Sequence, residues 1–143
     1  MLDVPFKRAV LVEDNSVVRA MLRGILRNHR FEVEAEAGDG EQALAMVRKF
    51  RPDLVCLDIM LPGSDGIEIL KTLKAEFPEI AVIMVSGASE PQRVRDALAQ
   101  GASGFVVKPF SAGSLLAAIE RAFGRGPEGA HVDPPQAPPV PVQ

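Results

Sequence analysis

Acidic side chains follow two short apolar runs in this sequence. Glu13 and Asp14 come directly after the apolar residues 9–12, and Asp58 comes directly after the apolar residues 54–57. If both runs are strands of one sheet, three carboxylates meet at one place, and like charges that close together resist joint ionisation. A hard divalent cation such as Mg²⁺ prefers carboxylate oxygens, whereas soft metals need His or Cys. The acidic residues therefore predict a magnesium site.

Two further polar residues follow apolar runs in the same way. Ser86 comes after residues 81–85, and Lys108 comes after residues 105–107. A single acid at the end of an apolar run is most simply a solvated loop residue. Four run ends that all carry a carboxylate, a hydroxyl or an ammonium group favour a common functional site instead.

Length and composition limit the classes of function. The 143 residues, 47% of them hydrophobic, are enough for one ordinary core, and one domain is expected. The net charge of −3 offers no basic surface for nucleic acid or an anionic membrane, so protein or small-molecule partners are expected. The absence of a signal-peptide pattern and of a run of roughly 18 apolar residues predicts a cytoplasmic protein. The single cysteine, Cys56, is expected to be a core residue.

Five β-type runs alternate with five helical patterns. This repeat predicts an α/β fold with a parallel sheet and helices on both faces. The second run alternates apolar and acidic residues, which is typical of a half-exposed edge strand, whereas the other four are apolar throughout, as buried parallel strands are. Placing the second strand at one edge and the fifth at the other gives the predicted order 2-1-3-4-5, the flavodoxin-like arrangement. The expected strands are Ala9 to Val12, Phe31 to Glu36, Leu54 to Leu57, Ala81 to Val85 and Gly104 to Val107.

This strand order places a crevice at the carboxyl ends of the first and third strands. Asp14 and Asp58 are expected there. Local signals support the helix boundaries, because short polar residues satisfy free N–H groups at helix starts and glycine ends helices. The expected N-caps are Asn15 or Ser16, Ser89 and Ser111, and Gly101 is expected to end the fourth helix.

The character of the chain changes after Phe123. Half of its twelve prolines lie in the last nineteen residues, and no periodic apolar pattern is left there. Residues 125–143 are expected to be a proline-rich disordered tail or linker, and residues 1–124 to form the folded domain.

The residues around these strand ends resemble the receiver domain of bacterial two-component response regulators, and in particular the chemotaxis regulators. The resemblance runs from about Lys7 to Phe123. Four segments carry it: LVEDN with the acidic pair, LVCLDIMLPGSDG with Asp58, IMVSGA with Ser86, and GFVVKPF with Lys108.

The resemblance implies that Asp58 accepts a phosphoryl group from the phosphohistidine of a sensor histidine kinase or phosphotransfer protein, in a Mg²⁺-dependent reaction. Lys108 and Ser86 would bind phosphoryl oxygens. The domain would catalyse its own phosphoryl transfer and slow autodephosphorylation, and would not be an enzyme that acts on a separate substrate. The implied metal ligands are Glu13 (directly or through water), Asp14, Asp58 and the backbone carbonyl of Met60.

The same resemblance implies a route from the site to the surface. Ser86 and Phe105 match the switch positions of the family, and a permanently buried Phe105 is the alternative. The surface expected to change is α4-β5-α5, the face of the fourth helix, the fifth strand (Gly104 to Val107) and the fifth helix. A downstream target protein or a second copy of the chain would bind it. The family's Lys-Pro bond, here Lys108-Pro109, is usually cis.

The sequence leaves two alternatives to a stand-alone receiver: a receiver within a longer regulator, and a phosphohydrolase. The chain is either a stand-alone receiver or the N-terminal receiver of a longer regulator with an output domain. A phosphohydrolase with an aspartate nucleophile is a less favoured alternative. Such hydrolases need a second Asp two positions after the nucleophile, and that position is Met60 here.

Overall fold

A computed structural model describes residues 7–87 and 91–124 of the chain. None of the helices in these two ranges is long and apolar enough to cross a bilayer. A short antiparallel pair, Met60–Leu61 with Ser64–Asp65, follows the third strand. The five main strands are β1 (Lys7–Val12), β2 (Phe31–Ala37), β3 (Leu54–Asp58), β4 (Ala81–Ser86) and β5 (Gly104–Val107). The five helices are α1 (Ser16–Arg27), α2 (Gly40–Phe50), α3 (Gly66–Glu76), α4 (Pro91–Ala99) and α5 (Ala112–Phe123).

The main sheet is parallel and has the order β2-β1-β3-β4-β5, which confirms the predicted flavodoxin-like arrangement. β3 and β4 are buried along their whole length. β2 lies at one edge, where Glu32 is exposed and most of its other residues are half-buried. The alternation of apolar and acidic residues therefore identified the edge strand correctly, because an edge strand has a neighbouring strand on one side only and its side chains stay partly exposed.

The strands are longer than the sequence pattern indicated. β1 begins two residues earlier, at Lys7, and β2, β3 and β4 each extend by one residue. Asp58 and Ser86 are consequently the last residues of their strands rather than the first residues of the loops. Their backbones remain in the hydrogen-bonded ladder, which holds both side chains on a rigid element.

Helix starts follow the capping chemistry of the sequence. The Asn15 side chain accepts hydrogen bonds from the N–H groups of Val17 and Val18 and caps α1. Ser111 and Ser114 form a reciprocal capping box at the start of α5. Gly101, two residues after α4, has a φ of 104°, a conformation that favours glycine. The predicted N-cap Ser89 lies outside the described residues.

Each face of the sheet carries its own apolar core. Alternate strand residues point to opposite faces, so Val10 and Val12 pack with α2, α3 and α4, whereas Ala9 and Leu11 pack with α1 and α5. Cys56 belongs to the second core and is completely buried, as the sequence predicted. Because helices pack against both faces of the sheet, the central strands are held in place. The polar residues lie at the ends of these strands.

Candidate functional site

Three carboxylates meet at the carboxyl ends of β1 and β3. Val12 pairs with Leu57 in the parallel ladder, so the residues that follow each of them lie at the same edge of the sheet. One carboxylate oxygen from each of Glu13, Asp14 and Asp58 lies within 4.8 Å of the other two. Glu13 and Asp58 are buried, and Asp14 is exposed. The structure therefore brings together the acidic residues that the sequence singled out.

Lys108 supplies the counter-charge for the two buried acids. It follows β5, and its Nζ lies 3.1 Å from Asp58 Oδ2 and 3.1 Å from Glu13 Oε1. Burial lowers the pKa of the Lys108 ammonium, but the hydrogen bonds and negative charges of Asp58 and Glu13 outweigh burial and leave that pKa above its ordinary value. Lys108 is therefore a fixed cation of this site at physiological pH.

Glu13 is completely buried, and burial is the main influence on the pKa of its carboxyl group. Burial raises the pKa of its carboxyl group, and the negative charge of Asp58 raises it further, against the opposing effects of the Asn15 N–H and Lys108. Glu13 Oε2 accepts hydrogen bonds from Asn15 N (3.1 Å) and Lys108 Nζ (3.2 Å). Glu13 Oε1 is close to Lys108 but without hydrogen-bonding geometry, and among the described residues it is the one buried side-chain polar atom without a hydrogen bond.

The loop after β3 holds the Asp58 carboxylate in place. The N–H of Met60 donates to Asp58 Oδ1 at 3.0 Å, which leaves Oδ2 for Lys108. Gly66 closes the loop with a hydrogen bond of 2.7 Å from its N–H to the Ile59 carbonyl. A Cβ at Gly66 would lie 2.2 Å from the Asp58 carbonyl oxygen, so glycine is required for this close approach.

Ser86 and Lys108 are linked through their backbones. The N–H of Lys108 donates to the carbonyl oxygen of Ser86 at 2.6 Å, which joins the ends of β4 and β5. Ser86 is buried, with 5% of its surface exposed. The Lys108-Pro109 peptide bond is cis. Both of the predicted phosphoryl-binding residues therefore stand at the same edge of the sheet as Asp58.

The donor set of this cluster fits Mg²⁺. Its ligand atoms are carboxylate oxygens, which hard cations prefer, and one of them, Glu13 Oε1, is buried without a hydrogen bond. Asp14 is exposed, so an ion held there would keep access to water and to a phosphoryl oxygen. A dication would also offset the repulsion among the three acids.

These residues line a cavity of about 350 Å³. One of its lining residues, Arg93 from α4, was not singled out by the sequence patterns. Arg93 forms an ion pair with Asp65, the N-cap of α3, with 2.9 Å between Nη2 and Oδ1. The two residues are 28 positions apart, and no local spacing relates a helix residue to a loop acid at that distance.

A larger cavity than the one at the acidic cluster lies elsewhere on the molecule. A groove of about 580 Å³ lies near the other end of the sheet, lined by residues that include Lys7, Phe31 and Phe123. Its walls are mostly apolar, and Glu120 is the only carboxylate among its described lining residues. The smaller cavity carries the acids, the lysine and the strand ends, so we assign the candidate site there on chemistry rather than volume.

Phe105 lies away from this cavity, on the surface of β5. It pairs with Met84 of β4, and 38% of the residue is exposed. The alternative of a permanently buried core phenylalanine is therefore wrong for this structure. Leu98 of α4 is likewise exposed, so apolar side chains lie on two elements of the α4-β5-α5 face.

Comparison with known proteins identifies the family. The profile of the response regulator receiver domain matches residues 9–120, which is most of the chain and includes all or most of each main strand. The chain belongs to the response regulator receiver family. This receiver is 39% identical over 115 residues to the chemotaxis protein CheY of Listeria monocytogenes, a match that covers 80% of this chain and 97% of that protein.

Further relatives include both short and long proteins. The DNA-binding response regulator MtrA of Mycolicibacterium smegmatis is 36% identical over 124 residues, covering 87% of this receiver but only 54% of MtrA. Among solved structures, the CheX-CheY-BeF3-Mg+2 complex from Borrelia burgdorferi matches with a TM-score of 0.79 and 31% identity, covering 84% of this receiver and 90% of that chain. The family therefore occurs alone and as part of longer regulators.

Proposed function

We propose that Asp58 is the phosphoryl acceptor of this receiver. The observation that carries the proposal is the environment of its carboxylate. Asp58 is 3% exposed, Oδ1 is held by the Met60 N–H, and Oδ2 lies 3.1 Å from the Lys108 ammonium in a cavity with two further acids. An acid at the end of a central strand, oriented on one side and charge-compensated on the other, is arranged for attack on an electrophile.

The reaction is a transfer between two proteins. One oxygen of Asp58 attacks the phosphorus of a phosphohistidine, a P–O bond forms, and the P–N bond breaks. The electron pair of that bond stays with the departing imidazole, and the product is an acyl phosphate. Charge develops on three equatorial oxygens in the transition state, so positioned cations and hydrogen-bond donors supply most of the catalysis.

Residues that line the cavity, together with Ser86 at the end of β4, carry out different parts of this reaction. Lys108 binds one phosphoryl oxygen through its ammonium group, and the Ser86 hydroxyl donates to another. Glu13, Asp14, Asp58 and the Met60 carbonyl would hold Mg²⁺, Glu13 directly or through water. When bound, the ion supplies positive charge to the phosphoryl oxygens.

A protein phosphodonor fits the rim of the cavity. Val17 and Met60 are 68% and 69% exposed; Met60 lines the cavity, and Val17 lies two positions along the chain from the lining residue Asn15. Exposed large apolar residues beside a polar site favour a protein partner. We propose a sensor histidine kinase or phosphotransfer protein as this partner, in the cytoplasm.

The phosphorylated form signals through the α4-β5-α5 face. A shift from about 1:99 to 99:1 between two states needs about 5.5 kcal/mol of differential interaction, so groups that contact the phosphoryl oxygens must change position. Ser86 and Lys108 lie at the ends of β4 and β5, and Phe105 lies on β5 three residues before Lys108. Rotation of the exposed Phe105 ring would then change a surface that a target protein or a second copy recognises.

Labelling tests the acceptor. Wild-type protein treated with acetyl phosphate and Mg²⁺ should gain one phosphoryl group by intact mass, and excess EDTA should prevent the gain. Asp58→Asn should remain unlabelled, while Asp96→Asn, at an exposed position of α4, should label as wild type does. Labelling of Asp58→Asn would overturn the proposal.

Amide-resolved NMR tests the output. Addition of beryllofluoride with Mg²⁺ should shift resonances around Asp58 and also those of Phe105 and residues 94–98. Ser86→Ala should keep the shifts near Asp58 and lose most of the distant ones, because the hydroxyl that senses the phosphoryl oxygens is gone. Distant shifts that persist in Ser86→Ala would exclude this route.

Two alternatives differ in measurable ways. A longer regulator, for which the MtrA match over about half of that protein is the supporting observation, would appear as a larger native protein in its cells. A phosphohydrolase would turn over many phosphate esters per chain, whereas a receiver takes up one phosphoryl group and releases it slowly. The Met60 position, where such a hydrolase needs an acid, favours the receiver.

A further inference from the structure

Arg93 stands between two cavities of the molecule. It lines the 350 Å³ cavity together with Asp58 and Lys108, and also a neighbouring cavity of about 560 Å³ together with Asp65 and Met60. Its guanidinium group pairs with Asp65, with Nη2 2.9 Å from Oδ1 and Nη1 3.5 Å from Oδ2. Lys108 is the first cation of this cavity, and the Arg93 guanidinium is a second one.

The ion pair between Arg93 and Asp65 is partly exposed to solvent and therefore weak. The two side chains are 31% and 41% exposed, and ion pairs that face solvent contribute little stability because water and salt screen them. Asp65 also has a second task, since its Oδ1 accepts a hydrogen bond from the Ile67 N–H at the start of α3. Loss of Arg93 would leave this cap intact.

The helix α4, which carries Arg93, has few buried contacts with the rest of the domain. Of the nine residues of α4, only Ala97 is buried. Arg93 is the third residue of the helix, in its first turn, directly after the segment 88–90. A small displacement of this turn breaks few apolar contacts, so a new charge in the cavity has little packing energy to overcome.

Phosphorylation changes which anion attracts Arg93 more strongly. A phosphoryl group brings about two negative charges and three acceptor oxygens. A guanidinium group offers donors in a planar fork that binds two oxygens of a phosphoryl group at once, and such charged hydrogen bonds are stronger than neutral ones. Asp65 offers one negative charge, and its Oδ1 is shared with the α3 cap.

We propose that Arg93 is a second phosphoryl-binding residue of this receiver, which exchanges the Asp65 carboxylate for the aspartyl phosphate and thereby draws the first turn of α4 toward the site. The proposal rests on Asp58 being the acceptor. It assigns Asp65 the role of a competing anion, which binds the Arg93 guanidinium until the phosphoryl group arrives.

Two substitutions separate this exchange from a purely structural ion pair. Arg93→Ala removes the cation, and Asp65→Asn removes the competing anion while an asparagine keeps the cap of α3. If Arg93 binds the phosphoryl group, Arg93→Ala should bind beryllofluoride in the presence of Mg²⁺ about threefold more weakly, and Asp65→Asn should bind it more tightly, each by an amount typical of an exposed charge pair. The double variant should resemble Arg93→Ala. NMR titration of the amide resonances gives these affinities.

The controls separate failure of this proposal from failure of the acceptor assignment. Arg95→Ala makes the same charge change at an exposed position of α4 and should bind beryllofluoride as wild type does. A structural clamp would make Arg93→Ala and Asp65→Asn change the affinity in the same direction, and this result, or no change in either, would overturn the exchange. Wild-type protein that neither binds beryllofluoride nor accepts a phosphoryl group would instead overturn the role of Asp58.

Discussion

Glu13 is harder to ionise in this site than a glutamic acid in water. It is completely buried, and burial raises the pKa of its carboxyl group above the ordinary value of 4.5. The folded protein therefore holds a proton on Glu13 at pH values where the unfolded chain has lost it. Because the folded state then binds more protons than the unfolded state, the contribution of Glu13 to the free energy of unfolding falls as the pH rises from 4.5 through the raised pKa.

We predict that Glu13→Gln removes this part of the pH dependence in metal-free protein. Denaturant unfolding in EDTA, repeated between pH 4.5 and 7, should give a smaller loss of stability for Glu13→Gln than for wild type. Glu32→Gln, at an exposed position of the edge strand, is the matched control and should follow wild type. A wild-type slope in Glu13→Gln would show that the buried carboxyl is not the titrating group.

Asp14 is the exposed acid of the cluster, and its removal should act in two opposite directions. Asp14→Ala relieves repulsion among three crowded carboxylates, so the metal-free protein should melt at the same or a higher temperature. The same change removes a proposed ligand, so the rise in melting temperature on addition of Mg²⁺ should become smaller. An undiminished rise would exclude Asp14 as a ligand.

At the scale of the elements, the loop from β3 to α3 determines the geometry of the acceptor. Gly66 begins α3 where its backbone passes directly against the end of β3, and the nearest atoms to a hypothetical Cβ are backbone atoms of Asp58 and Ile59. Backbone atoms cannot rotate aside as a side chain can. The strand end that carries the acceptor would therefore have to shift.

We predict that Gly66→Ala destabilises the protein by about 1–3 kcal/mol, the range typical of overpacking, and slows labelling of Asp58 by acetyl phosphate. Gly24→Ala is the control, because nothing lies within 4 Å of its Cβ position and it occupies the interior of α1. That change should stabilise by about 0.5–1 kcal/mol through higher helix propensity. Equal stability of Gly66→Ala and wild type would contradict the close approach seen here.

On the scale of the whole molecule, two cores on opposite faces of one sheet account for the buried apolar residues of the described chain. The helices α1 and α5 cover one face, and α2, α3 and α4 cover the other. Residues 125–143 lie outside the described part. Their proline content and their lack of apolar periodicity predict that the folded domain does not depend on them.

Removal of residues 125–143 should accordingly leave the melting temperature and the labelling of Asp58 as they are in the full chain. The proline-rich segment has few apolar residues that could extend either core, so we expect its loss to cost no buried surface. Thermal melts and intact mass of the shortened chain test this. A large fall in melting temperature would place part of the tail within the domain.

Sequence patterns alone determined the features that depend on neighbouring positions. The alternation of Phe31 to Glu36 identified one edge strand, because a run with an acid at every second position does not suit the centre of a sheet covered on both sides. Placing the fifth strand at the other edge then gave the order 2-1-3-4-5. The acids after β1 and β3 could be predicted to meet, since carboxyl ends of parallel strands share an edge. Asn15 and Ser111 marked helix starts for the same local reason.

The tertiary structure alone decided how far each group is from solvent and which distant group it meets. Glu13 and Asp14 are adjacent in sequence, yet one is completely buried and the other exposed, because the chain turns away from the sheet between them. The Arg93–Asp65 pair joins a helix to a loop across 28 positions. Such contacts depend on how helices pack against the sheet, and packing is the sum of many weak, long-range contacts that no local spacing encodes.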